Sequence, residues 1–120
     1  MDQYYEQVQI YLNMDEEIEF TEFRKYYQDV IKALDGQAED FREEDLWKSL
    51  FVVESIMSNA ENRAKTVKKS SEAKKYKKMA ERTKYYAQHF TKRLHDLGYD
   101  QDQIAEKFEK MLRDGEAMEK

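Results

Sequence analysis

Residues 46–67 read LWKSLFVVESIMSNAENRAKTV, and the order of apolar residues in this stretch decides the fold. The apolar positions alternate at spacings of four and three, which is typical of a helix seam that packs against a second long helix. The seam residues are Leu46, Leu50, Val53, Met57, Ala60, Ala64 and Val67. The apolar side chains that widen this face over most of the circumference are Trp47, Phe51, Val52 and Ile56. We therefore expect a central helix with several neighbours.

A partner for this helix follows directly along the chain. The apolar face of residues 71–97 consists of Tyr76, Met79, Ala80, Thr83, Tyr86, Ala87, Phe90, Leu94 and Leu97. One uninterrupted helix over residues 41–97 would be ~85 Å long at 1.5 Å per residue, so we expect a break near residues 69–71 and an antiparallel return. Nothing at Ser70-Ser71 forbids continuation, and residues 58–61 have the form of a capping box. A continuous helix and a helix that starts at residues 58–61 stay open as alternatives.

Three shorter amphipathic helices complete the prediction of an all-α helical bundle of about five helices in one domain, residues 1–120. The chain has no Pro and three Gly, so little interrupts a helix. The apolar periodicity predicts helices over residues 2–13, 21–35, 41–69, 71–97 and 100–113, with residues 114–120 frayed.

Several helix ends have recognisable signals. Thr21 is placed to cap the start of the second helix, and Gly36 to end it. Asp40 and Asp100 are the candidate N-caps of the third and fifth helices. Gly98 follows the fourth helix, where a glycine commonly adopts a left-handed conformation.

The composition favours a folded chain with a heavily charged surface. Charged residues make up 39% of the sequence, yet 13% are aromatic, which is more than a chain unable to bury a core usually contains. There is no Cys, so disulfides and thiolate metal sites are excluded and cytoplasmic placement is the default. No apolar run approaches the ~20 residues needed to cross a bilayer, so we expect no membrane partner.

The net charge of −5 conceals a strong segregation of charge along the chain. Residues 1–45 carry 14 acids and four bases, residues 46–95 carry four acids and 13 bases, and residues 96–120 carry eight acids and four bases. The middle of the chain is therefore basic and both flanks are acidic.

One face of the fourth helix is the candidate binding site. Its residues recur at spacings of four and three on the side opposite the apolar face: Lys74, Lys78, Arg82, Tyr85, His89 and Lys92. An exposed tyrosine between cations can stack on a base or accept a hydrogen bond, and Lys/Arg rows contact phosphates. The simplest alternative is that this lysine-rich face only keeps the protein soluble, and the acidic first and second helices could lie beside it and neutralise it within the fold.

No catalytic or metal motif stands out. His89 and His95 are six residues apart, so they do not converge on one helix face as an i, i+4 pair would. We expect no enzyme activity, no cofactor and no metal. By elimination the sequence favours a non-enzymatic regulator, adaptor or inhibitor that binds a protein with an acidic surface. The alternatives are a nucleic-acid-binding protein that uses the basic face of residues 63–93 and, third, a small helical enzyme. The length of the seam also suggests a homodimer.

Overall fold

The computed structural model describes residues 1–14 and 16–118, with the backbone alone for residues 115–118. Within these residues the chain forms five α-helices, one short 3-10 turn and no strand. The helices are α1 (Asp2–Leu12), α2 (Phe20–Gln37), α3 (Glu43–Thr66), α4 (Ser70–Asp96) and α5 (Gln101–Met118), and the turn spans Ala38–Asp40. The predicted all-α bundle of about five helices is confirmed.

The long central pair is an antiparallel hairpin of α3 and α4. The two helices are separated by residues 67–69, where Val67 and Lys69 adopt extended backbone conformations. The hairpin is antiparallel because Arg63 at the end of α3 bonds Tyr76 near the start of α4, whereas Phe41, just before α3, lies 6.0 Å from Phe90 between ring centroids. The predicted break between two separate helices is therefore correct, and residues 58–61 lie inside α3.

The core is centred on the hairpin, as the seam predicts. Leu50, Val52, Val53, Phe90 and Leu94 are almost completely buried. They belong to one cluster of buried side chains that includes residues of all five helices. Each fully buried aliphatic or aromatic side chain contributes roughly 1.5–3 kcal/mol relative to an exposed one, so burial along this seam dominates the stability of the hairpin.

Aromatic side chains attach α2 to the hairpin and to α1. The Tyr76 ring of α4 packs edge-on against Phe20 and Phe23 of α2, with centroids 5.2 and 5.7 Å away. Tyr26 of α2 packs against Tyr4 and Tyr11 of α1, at 6.3 and 5.3 Å. The Tyr26 hydroxyl also donates a 2.7 Å hydrogen bond to the backbone oxygen of Tyr4. The ring-rich composition thus supplies the contacts between helices.

The fifth helix packs against α3 and α1. Phe108 lies 5.7 Å from Phe51 between ring centroids, and Tyr99, just before α5, lies 5.0 Å from Trp47. The Gln9 side-chain amide of α1 donates a 2.9 Å hydrogen bond to the backbone oxygen of Met111. These contacts cover the N-terminal half of α3, which explains why that half carries apolar groups around most of its circumference.

Two of the predicted end signals act as expected. Asp100 Oδ1 accepts a bond of 2.8 Å from the Gln103 backbone N–H, and Gln103 Oε1 accepts one of 2.8 Å from the Asp100 N–H. This reciprocal pair is a capping box at the start of α5. Gly98 has a φ of 106°, a conformation that L side chains rarely adopt.

End predictions are wrong for three helices, α2, α3 and α5. Helix α2 begins at Phe20 and ends at Gln37, so Thr21 is not its N-cap and Gly36 does not end it. Helix α3 begins at Glu43, because the turn Ala38–Asp40 intervenes and the Arg42 N–H bonds Asp45 Oδ2 at 3.3 Å. The third concerns α5, which extends to Met118 instead of ending at residue 113, since a single glycine at position 115 costs a helix only about 1 kcal/mol. Residues 119–120 of the predicted frayed end lie outside the described residues.

Two glycines provide a matched test of these helix ends. Gly98→Ala should destabilise the protein by about 1–2 kcal/mol, because alanine is disfavoured at a positive φ. Gly36→Ala should stabilise it by up to about 1 kcal/mol, because position 36 is helical and an added Cβ has no neighbour within 4 Å. Urea unfolding of both variants measures the difference, and equal effects would contradict the assigned conformations.

Candidate functional site

The predicted basic face of α4 is open to solvent. Its residues Lys74, Lys78, Arg82, Tyr85, His89 and Lys92 are all exposed. The Tyr85 side chain is 68% exposed, whereas the adjacent Tyr86 belongs to the buried core. The sequence pattern therefore distinguishes the solvent-facing tyrosine from the core tyrosine correctly.

Helix α2 lies beside this face and contacts it at one point. Asp35 Oδ2 of α2 lies 3.1 Å from Arg82 Nη2, and both side chains are about half exposed. Asp35 also accepts a hydrogen bond from the Tyr86 hydroxyl. Among the described residues, Arg82 is the one base of the predicted face with a carboxylate oxygen within 4 Å. The acidic second helix thus pairs with a single base of the face and does not cover it, and the interpretation of this face as a solubilising surface stays open.

Tyr85 stands between two grooves along the seam of α2 and α4. The groove on its C-terminal side has a volume of about 350 Å³ and is lined by Asp35, Glu39, Asp40 and His89, among others. The groove on its N-terminal side has a volume of about 630 Å³ and is lined by Tyr27, Lys78, Glu81 and Arg82, together with Tyr86. The Tyr85 ring therefore separates the two grooves. The groove on its C-terminal side is mostly acidic, and the groove on its N-terminal side is more basic.

Tyr27, which lines the groove on the N-terminal side of Tyr85, is neutral at physiological pH. Burial raises the pKa of Tyr27, and the positive charge of Arg82 only partly opposes that effect. Lysine and arginine side chains remain protonated in the same range. The charge pattern of the seam is consequently fixed by its lysines, arginines and carboxylates.

Several bases of the middle segment have structural roles that the charge pattern alone did not predict. Arg93 donates hydrogen bonds of 2.6 and 2.9 Å to the backbone oxygens of Ala38 and Phe41, and so holds the α2–α3 connection. Arg63 is buried among aromatic rings. A signal for Arg63 exists in the sequence, because it follows Ile56 by seven residues on the same buried side of α3.

Comparison with known proteins adds no family to this description. No protein-family model matches the chain, and neither the curated proteins nor the solved structures include a significant match. None of the helices in the described part of the chain is long and apolar enough to cross a membrane. Within the same residues, no group of three or more His, Asp or Glu side chains is arranged to hold a metal ion.

Proposed function

We propose that the protein is a non-enzymatic helical interaction protein, a regulator, adaptor or inhibitor in the cytoplasm, that binds an acidic protein through the α4 face. The observation that carries this proposal is the 68% exposed Tyr85 in a row of exposed bases. Large aromatic and arginine side chains dominate the energy of protein interfaces. Tyr85 is the natural anchor, with Lys74, Lys78, Arg82, His89 and Lys92 around it.

The surroundings of Tyr85 favour a protein partner over a nucleic acid. Asp35, Glu39 and Asp40 line the groove beside it, and these carboxylates would repel a continuous phosphate backbone within the ~8–10 Å range of unscreened charge. A protein surface can instead place an acidic patch over Lys74 and Lys78 and a neutral or basic patch over the groove. Nucleic-acid binding through residues 63–93 is the alternative, and a gel shift at 50 mM salt that weakens steeply at higher salt would support it.

The proposal is tested by comparing the proteins captured from a cell extract by matched variants. Lys78→Glu with Tyr85→Ala should lose one specific partner, since loss of a hot-spot anchor costs at least about 2 kcal/mol, or roughly 30-fold in affinity. The control is Lys107→Glu with Leu112→Ala on α5, which makes the same kind of change at two other exposed positions. Identical capture by both variants would count against the α4 face.

Formation of a homodimer stays a prediction. The reason for expecting it is the length of the α3 seam, and much of that seam is covered within one chain. Four seam residues, Leu46, Leu50, Val53 and Ala60, are buried within one chain by the α3–α4 hairpin. These four positions therefore need no second copy to cover them. Sedimentation velocity over a range of protein concentrations tests self-association.

A further inference from the structure

A cavity lies between the end of α1, the start of α2 and the middle of α3, away from the α4 face. Its volume is about 210 Å³. Apolar and aromatic side chains make up much of its wall, among them Val8, Phe23, Tyr26 and Ile56. Ser55 and Arg63 add polar groups. Engineered apolar cavities of about 150 Å³ hold benzene, so this space fits a small organic molecule.

Arg63 places a positive charge in the wall of this cavity. The side chain is 7% exposed, and its guanidinium carbon lies 4.5 Å from the Phe23 ring centroid and 5.8 Å from that of Tyr76. Its Nη1 donates a 3.2 Å hydrogen bond to the Tyr76 hydroxyl, and its buried Nε has no hydrogen-bond partner among the described residues. A guanidinium has five N–H donors, so at least one buried donor of Arg63 is available to a ligand.

In residues 1–14 and 16–118 the Arg63 guanidinium forms no direct ion pair, although Glu16 and Glu17 line the same cavity. Within the part of the chain that the structure describes, no carboxylate oxygen lies within 4 Å of the Arg63 nitrogens. The rings of Phe23 and Tyr76 compensate part of the desolvation through cation–π attraction. Buried charges are ordinarily paired with a counter-charge, so a bound anion would complete the site.

We infer that the cavity binds a small monocarboxylate with an apolar body, whose carboxylate pairs with Arg63. Arginine is well suited to this task because its planar guanidinium matches the geometry of a carboxylate. The apolar body would occupy the space beside Val8, Tyr26 and Ile56. Glu16 and Glu17 also line the cavity. Their negative charge opposes any anion and a dianion most strongly, so the favoured ligand carries a single carboxylate. This site is separate from the proposed docking face, and either can be wrong without the other.

Benzoate and its neutral isostere benzamide are suitable probes for the site. In NMR titrations of the full chain, benzoate should shift resonances of the cavity residues and bind at least about tenfold more tightly than benzamide, as a hydrogen bond to a charged group predicts. No binding of benzoate, or equal binding of the two probes, would overturn the inference.

Two variants test separately whether binding needs the positive charge of Arg63 and whether it needs the volume of the cavity. Arg63→Met should weaken the affinity for benzoate at least about tenfold, and it keeps an unbranched side chain against the rings. The control Lys65→Met, on the exposed surface of α3, should leave the affinity unchanged. Ser55→Phe should block binding by filling the cavity with Arg63 intact, which covers the case in which Arg63→Met does not fold. Equal affinity in the Arg63 and Lys65 variants would contradict the inference.

The carboxylates of Glu16 and Glu17 compete with a bound ligand for the positive charge of Arg63. The variant Glu16→Gln with Glu17→Gln removes both charges that line the cavity. If the wild-type protein binds benzoate and this variant binds it at least as tightly, the inference stands. Binding that occurs only in the variant would refute it, because the native loop would then supply the counter-charge of Arg63.

Discussion

Phe90→Ala is expected to destabilise the protein by about 3–5 kcal/mol, as large-to-small changes at buried aromatic positions do. Phe90 is 0% exposed and packs between Phe41 and Tyr86, with ring centroids 6.0 and 6.1 Å away. Removal of the ring leaves a cavity at the point where α4 meets the segment before α3. A domain with a typical stability of 5–15 kcal/mol would lose a large part of it.

Tyr85→Ala is the matched control for this change, because it removes a ring from the same helix five residues away. Tyr85 is 68% exposed, so its loss should change the free energy of unfolding by no more than about 0.5 kcal/mol. Urea unfolding followed by circular dichroism gives both values. Similar destabilisation by the two variants would mean that α4 is rotated relative to the orientation described here.

Tyr26→Ala is expected to have the second large effect, about 3–5 kcal/mol. Its ring packs against Tyr4 and Tyr11, and its hydroxyl bonds the Tyr4 backbone oxygen. Loss of these contacts should undock α1 before the hairpin unfolds, so hydrogen exchange should accelerate in Asp2–Leu12 more than in α4. Uniform acceleration in both helices would contradict a separate docking role for Tyr26.

The hydroxyl of Tyr26 can be tested separately with Tyr26→Phe, which should cost about 1 kcal/mol. Burial strongly raises the pKa of Tyr26, so the folded protein holds this phenol neutral while the unfolded chain ionises near pH 10. The resulting stabilisation is present below pH 10 and is lost as the pH rises further. The stability of the wild-type protein should therefore fall above pH 10 more steeply than that of Tyr26→Phe.

The hairpin could be predicted because its signal is local and repeated. Leu50, Val53 and Phe90 each belong to an apolar series that continues over several helical turns, so one atypical residue does not change the face. The break before Ser70 has no comparable local signal. It could be expected because one helix over residues 41–97 would be ~85 Å long, and the structure has it at residues 67–69. The Asp100 cap is equally local, since the two partners in its capping box lie three residues apart.

The errors concern single residues and contacts distant in sequence. Thr21 and Gly36 are common end residues, yet each is compatible with a helix interior, and the helical pattern continues through both. The position of α2 beside α4 depends on Phe20 and Phe23 meeting Tyr76, more than 50 residues later. No periodicity within one helix contains that information. For the same reason, the sequence alone could not decide whether the basic face of α4 is open or covered.

Photocrosslinking from position 85 tests whether the open face of α4 docks a protein partner. A photoreactive phenylalanine derivative is placed at position 85, and a control protein carries it at position 97, where Leu97 is 54% exposed just after the same helix. If the α4 face docks a partner, irradiation in cells should join one specific protein to position 85 and not to position 97. Absence of an adduct at position 85, or the same adducts at both positions, would contradict it.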